Sequence, residues 1–175
     1  ADRVSKLDTF IEANLKTLGA PGLSIAVVQK GKLVWEKGFG TRSLGKRDPV
    51  TPRTLMMIGS TTKSLTTLMM ARLVEKGVFT WDTPVKQVYP AFALGDAIAT
   101  ERATMKHTVC ACTGLPRQDL EFLFEYGKET AAARILSMAK MKPTTAFGET
   151  FQYSNVMVST GGYIAAHARK PKLPL

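Results

Sequence analysis

Ser60 and Lys63 stand three residues apart in GSTTKS (59–64), where a loop containing glycine and proline gives way to a long apolar run. Positions i and i+3 of a helix share a face, so hydroxyl and amine project together. A serine hydroxyl needs a base before it can attack a carbonyl. The first N–H groups of a helix lack internal partners and lie at the positive end of its dipole. They offer donors to an oxyanion and oppose protonation of a nearby amine. Burial lowers a lysine pKa in the same direction. The pair is therefore a candidate nucleophile and base for acyl transfer. S-x-x-K alone is a common pattern; without chemistry, Ser60 reads as a helix cap and Lys63 as a solvated first-turn residue.

A second segment supplies partners. Tyr153-Ser154-Asn155 precedes a run of small residues at helical spacing. A phenol beside Ser60 and Lys63 would act as phenolate base or proton relay, once a neighbouring ammonium lowers its pKa from about 10. Asn155 would fix Lys63 and donate to a substrate carbonyl; its reading without chemistry is an N-cap, and that of Tyr153 a loop aromatic. His107 and His167 have no acidic partner at a suitable spacing and read as structural. With no G-x-S-x-G elbow either, a Ser-His-Asp hydrolase is not expected. Cys110 and Cys112, two apart, read as small packing residues rather than a disulfide or metal pair. No metal and no cofactor is expected. Trp35 and Trp81 read as packing residues.

The elements that must position these groups are legible from periodicity. Val4, Leu7, Ile11, Leu15 and Leu18 predict an N-terminal helix stopped by Gly19 and Pro21. Residues 23–29 and 32–39, joined at Lys30-Gly31, predict a β-hairpin. Both strands are apolar on both faces, which predicts burial on both sides. The helix at 60–76 carries Leu65, Leu68, Met69, Met70, Leu73 and Val74 and is expected to be buried nearly all round. Shorter helices are expected from Thr83-Pro84 to Pro90, at 119–126, at 130–141 and at 155–168. Asp119 and Glu121 suit the positive end of the helix expected at 119–126. Gly161-Gly162 predicts a close approach to a neighbouring element. The resulting fold class is α+β, with 1–40 as a helix-and-hairpin region and 41–175 as a helical one.

The chain has 175 residues, 45% of them hydrophobic, and no apolar run near the length that crosses a bilayer. Its 24 Lys and Arg against 14 Asp and Glu give a charge of +10. The basic residues are scattered, with the nearest cluster at 169–172, so a nucleic-acid partner is not expected.

These residues resemble the penicillin-recognising serine hydrolases, in particular the class C β-lactamase-like branch with its family VIII-type esterases and D-amino-acid-specific peptidases. LSIAVVQKGKLVWEKGFG looks like that family's first two strands. MIGSTTKSLTTLMMARLVEKGVFTWDTPVKQVYP looks like its nucleophile helix and sequel, and ATMKHTVCACTGLPRQD like the stretch ending in a Thr-Gly-Leu turn. Tyr153-Ser154-Asn155 matches its second motif; a Tyr-x-Asn there is class C-like, where class A enzymes have S-D-N. The resemblance implies a β-lactamase/transpeptidase-like fold, an antiparallel sheet flanked by helices plus an all-helical region. It implies Ser60 as acylated nucleophile, Lys63 and Tyr153 as bases, Asn155 as substrate contact, and a periplasmic or secreted location. The implied substrates are small esters, β-lactams or D-amino-acid amides; a non-catalytic penicillin-binding relative is the alternative. The family's third motif, Lys-Thr-Gly or His-x-Gly on a later strand, has no counterpart here. The expectation is therefore an N-terminal portion whose sheet is completed by a C-terminal fragment or second chain. Without it the site would lack one oxyanion donor, at a cost of about 2.7–4 kcal/mol.

Overall fold

A computed structural model describes residues 4, 6–120, 127 and 130–169. The chain forms two compact units, 1–57 and 58–175. In the first, helix α1 (Leu7–Leu18) ends at Gly19, whose left-handed backbone lets the chain reverse. Strands β1 (Gly22–Gln29) and β2 (Lys32–Gly40) then pair antiparallel. Lys30 and Gly31 both have positive φ, the conformation of a tight hairpin turn whose twist matches its strands. Ile11 of α1 and Phe39 of β2 are buried, and Lys37 of β2 pairs with Asp8 of α1 at 2.5 Å. The hairpin is not buried on both sides as its sequence predicts: Val28, Leu33 and Val34 are all more than half exposed. Among the described residues no further strand joins this two-stranded sheet.

The second unit is helical. A 3-10 turn, Gly59–Thr61, leads into α2 (Thr62–Glu75). Next come α3 (Val85–Val88), α4 (Ala97–Arg102) and a 3-10 turn at Met105–Thr108. Helix α5 (Ala131–Ser137), capped by the Thr130 hydroxyl, runs into a further 3-10 turn, Met138–Lys140. Helix α6 (Asn155–Arg169) closes the series. Pro84, rather than Thr83, holds the cap position of α3; the Thr83 hydroxyl instead accepts from Thr80 N–H at 2.8 Å. The helix expected at 119–126 falls, beyond Leu120, outside the described residues. No helix of the described residues is long and apolar enough to cross a membrane.

The core of this unit gathers Met70, Phe92, Met105, Leu115, Met157 and Ile164. Helix α2 departs from expectation here. It buries Met70 and Leu73 along α6, but Leu65 and Leu68 are more than half exposed. An apolar residue on every side predicts burial only if a neighbour covers every side, and within this unit the covering comes mainly from α6.

Two glycines set the α6 packing. A side chain at Gly161 would place its Cβ 2.8 Å from the Thr108 Cβ, whereas at Gly162 the nearest atom is the Thr66 methyl at 3.1 Å. Gly161→Val should therefore lower stability by about 1–3 kcal/mol through overpacking. Gly162→Ala should be close to neutral, since helix propensity returns up to about 1 kcal/mol. Denaturant midpoints of the two variants check this.

Cys110 and Cys112 form a disulfide, contrary to the sequence reading. Ala111 between them adopts a positive φ of 53°, which turns the chain back and brings the two Cα atoms to 5.4 Å. His107 is structural as expected. Its Nδ1 meets the Thr104 N–H at 3.1 Å and the Thr104 hydroxyl at 2.8 Å, and its ring packs on Phe147. Burial, then the charges of Lys106 and Arg102, hold its pKa below the usual value.

Candidate active site

Gly59 has a positive φ, which steers the loop into the 3-10 turn and places Ser60 one turn ahead of Lys63. Ser60 does not cap α2. Its Oγ lies 2.9 Å from Lys63 Nζ, which donates to it, and 2.5 Å from the Tyr153 hydroxyl. Lys63 Nζ also donates to Asn155 Oδ1 at 2.6 Å. The four residues singled out in the sequence thus meet at one place, where α2 and α6 begin. Two helix N-termini face it, so their dipoles favour negative charge there.

The α6 end is built so that Asn155 stays available. Ser154, not Asn155, caps the helix: its hydroxyl accepts from Met157 N–H at 3.2 Å. The segment before it is pinned through Gln152. The Gln152 N–H donates to the Ala111 carbonyl at 2.7 Å. Its side-chain amide donates to Thr144 at 2.9 Å and accepts from Thr145 at 2.8 Å. The disulfide loop thereby supports the backbone next to Tyr153.

Two cations flank the Tyr153 ring, Lys63 Nζ at 4.5 Å and the Arg117 guanidinium at 4.9 Å from its centroid. The phenol pKa is lowered from the usual 10.0, chiefly by hydrogen bonding to Lys63 and then to Ser60. Burial opposes this, and the charges of Lys63 and Arg117 add smaller effects that favour phenolate over phenol.

Two residues of the site carry no role in the sequence reading. Arg117 pairs with Asp119 through Nε and Oδ2, and Asp119 Oδ1 accepts from Asn155 Nδ2 at 2.7 Å. Their signal lies in the Arg-Gln-Asp that follows the Thr-Gly-Leu-Pro turn, where Asp119 is fully explained as a helix-start acid. Among the described residues no group of His, Cys, Asp and Glu could hold a metal ion.

A family model described as Beta-lactamase matches residues 7–172. The chain belongs to the beta-lactamase family. Among curated beta-lactamase relatives, it is similar to an unguisins hydrolase of Aspergillus campestris, 34% identical over 151 residues, covering 82% of this chain and 28% of that protein. It is also similar to Protein flp of Staphylococcus aureus, 28% identical over 175 residues, covering 97% of this chain and 34% of that protein. Among solved structures, the octameric penicillin-binding protein homologue from Pyrococcus abyssi superposes with a TM-score of 0.78 at 29% identity, over 95% of this chain and 39% of that one. A class C beta lactamase matches with a TM-score of 0.78 at 23% identity, over 94% of this chain and 44% of that one, a likeness of fold. The fold is thus α+β of the β-lactamase/transpeptidase type. The chain spans about a third of the length of these curated relatives.

Proposed function

We propose that this member of the beta-lactamase family is a serine hydrolase that works through an acyl-enzyme on Ser60. The carrying observation is the convergence of Ser60, Lys63 and Tyr153 within direct hydrogen-bond reach of the nucleophile. Tyr153 is the base in this reading: its hydroxyl lies 2.5 Å from Ser60 Oγ, and its pKa is lowered towards the form that can accept the serine proton. The Ser60 oxygen forms a bond to the substrate carbonyl carbon, and negative charge moves to the carbonyl oxygen. As the tetrahedral species collapses, the leaving group departs with the proton that Tyr153 received. Water then attacks the acyl-enzyme, Tyr153 takes its proton, and the acid product leaves as Ser60 is reprotonated. Lys63 donates to Ser60 Oγ beside both bond-making events, and Asn155 orients Lys63 and donates to the substrate amide or ester carbonyl.

The substrates in this reading are small esters, β-lactams or D-amino-acid amides, all of which present a carbonyl to the same machinery. It includes a partner as well: further strands, from a C-terminal segment or a second chain, that extend β1–β2 and give the second oxyanion donor.

The test is to present the intact protein with a chromogenic ester, a chromogenic cephalosporin and a fluorescent penicillin. Turnover of at least one of the first two, with a burst equal to the enzyme concentration, is the expected result. Stoichiometric penicillin labelling with no turnover would assign a penicillin-binding role without hydrolysis. No labelling and no turnover would refute the nucleophile assignment.

A further inference from the structure

We propose that Asp119 is a positioning residue: its carboxylate fixes the orientation of the Asn155 amide and holds Arg117 against Tyr153, so one acid orients the surroundings of both Lys63 and Tyr153. The inference rests on the acyl-enzyme reading above and adds to it the group that sets its geometry.

The orientation of an asparagine amide follows from what its two ends meet. As an ammonium, Lys63 Nζ has only donors to offer, and a carboxylate has only acceptors. Asn155 lies between them, with Oδ1 at 2.6 Å from Lys63 and Nδ2 at 2.7 Å from Asp119. A flipped amide would set N–H against ammonium at one end and oxygen against carboxylate at the other. Both partners thus demand one orientation. The Ser154 cap keeps the helix from competing for the same side chain.

The second oxygen of Asp119 serves Arg117. That pairing holds the guanidinium over the Tyr153 ring, opposite a demand that a free arginine side chain, 63% exposed here, would otherwise resist through its rotamer entropy. The hydrogen bond from Arg117 at one oxygen, aided by that from Asn155 at the other, holds the Asp119 carboxyl below its usual pKa against the opposing effect of burial. Among the described residues the charges that act on Tyr153 are Lys63 from α2 and Arg117 from the loop after Leu115, with Asp119 paired to Arg117. The acid therefore offsets one of two cations at the phenol while directing the other through Asn155.

The test is a double-mutant cycle on the rate at which a fluorophosphonate labels Ser60 in the intact protein, with thermal midpoints checking the fold. Asp119→Asn is nearly isosteric but can donate as well as accept, so it no longer dictates the Asn155 orientation. It should slow labelling about 10- to 100-fold, as loss of an orienting outer partner commonly does. In an Asn155→Ala background the same substitution should slow labelling far less, because its route of action is gone. Asp119→Glu, which keeps an acceptor-only carboxylate, should retain more activity than Asp119→Asn. Arg117→Met should move the rising limb of labelling against pH to higher pH, since one cation beside the phenol is removed.

Wild-type labelling with an unchanged rate in Asp119→Asn would overturn this proposal alone. So would an equal slowing with and without Asn155, which would assign Asp119 a separate role. A variant that fails to fold moves the decision to Asp119→Glu and Arg117→Met, where an unshifted pH limb counts against it. Absence of wild-type labelling would instead refute the nucleophile reading itself, and with it this inference.

Discussion

Ser60→Ala is expected to abolish covalent labelling by fluorophosphonate and by penicillin, and to lower turnover by at least about 10³-fold, towards the order of 10⁶-fold seen when a serine nucleophile is deleted elsewhere. The fold should survive. Ser60 is exposed, it does not cap α2, and among the described residues its hydroxyl meets Lys63 and Tyr153. The thermal midpoint should therefore stay within about 2 °C, because a surface substitution ordinarily changes stability by no more than about 0.5 kcal/mol. Intact-protein mass spectrometry reads both outcomes at once: the wild-type protein gains the mass of the probe and the variant does not. A probe adduct persisting on Ser60→Ala would place the nucleophile elsewhere.

The second large effect is at Tyr153. Tyr153→Phe keeps the ring between its two cations and removes only the hydroxyl 2.5 Å from Ser60. Loss of a general base typically costs about 10²–10⁴-fold, and that range is expected for the acylation rate. Substrate affinity should change little, because the hydroxyl's partner is the nucleophile. The pH dependence gives a sharper reading. A base must be deprotonated to act, so activity is lost as pH falls through its pKa. The Tyr153 value lies below the usual 10.0, mainly because of Lys63 and Ser60, so the wild-type rising limb should have its midpoint below pH 10. In Tyr153→Phe that limb should vanish, leaving a low and flatter profile. Stopped-flow acylation rates between pH 5 and pH 10 would measure it. A limb unchanged in the phenylalanine variant would assign the titrating base to another group.

Much of this site was legible in the sequence, and the reason is local. The S-x-x-K spacing fixes a shared helical face, so the Ser60–Lys63 contact follows from helix geometry alone. The hairpin was equally plain, because Lys30-Gly31 sits between two apolar runs and satisfies a turn that demands positive φ. Gly161-Gly162 announced a close helix contact, and the structure supplies Thr108 and Thr66 as the neighbours. What failed were arguments that needed to know the neighbours. The apolar surface of α2 and the two-faced strands predicted burial, yet burial depends on which elements come to lie against them, and Leu65, Leu68 and Val28 remain exposed. The disulfide was missed because residues two apart rarely meet its geometry, which here depends on the left-handed backbone of Ala111 between them. Asp119 was missed for a different reason. A helix-start carboxylate is already explained by the dipole, so nothing in the sequence asked for a second partner 36 residues away.

The division of the chain after Met57 has a consequence for inheritance. It falls three positions before Ser60, and every hydrogen bond joining Ser60, Lys63, Asp119, Tyr153 and Asn155 has both its ends on the later side. The acid–base inventory can thus pass from one ancestor to another as a single block. Recombination that exchanges the first 57 residues would leave each of those bonds with its original pair of atoms.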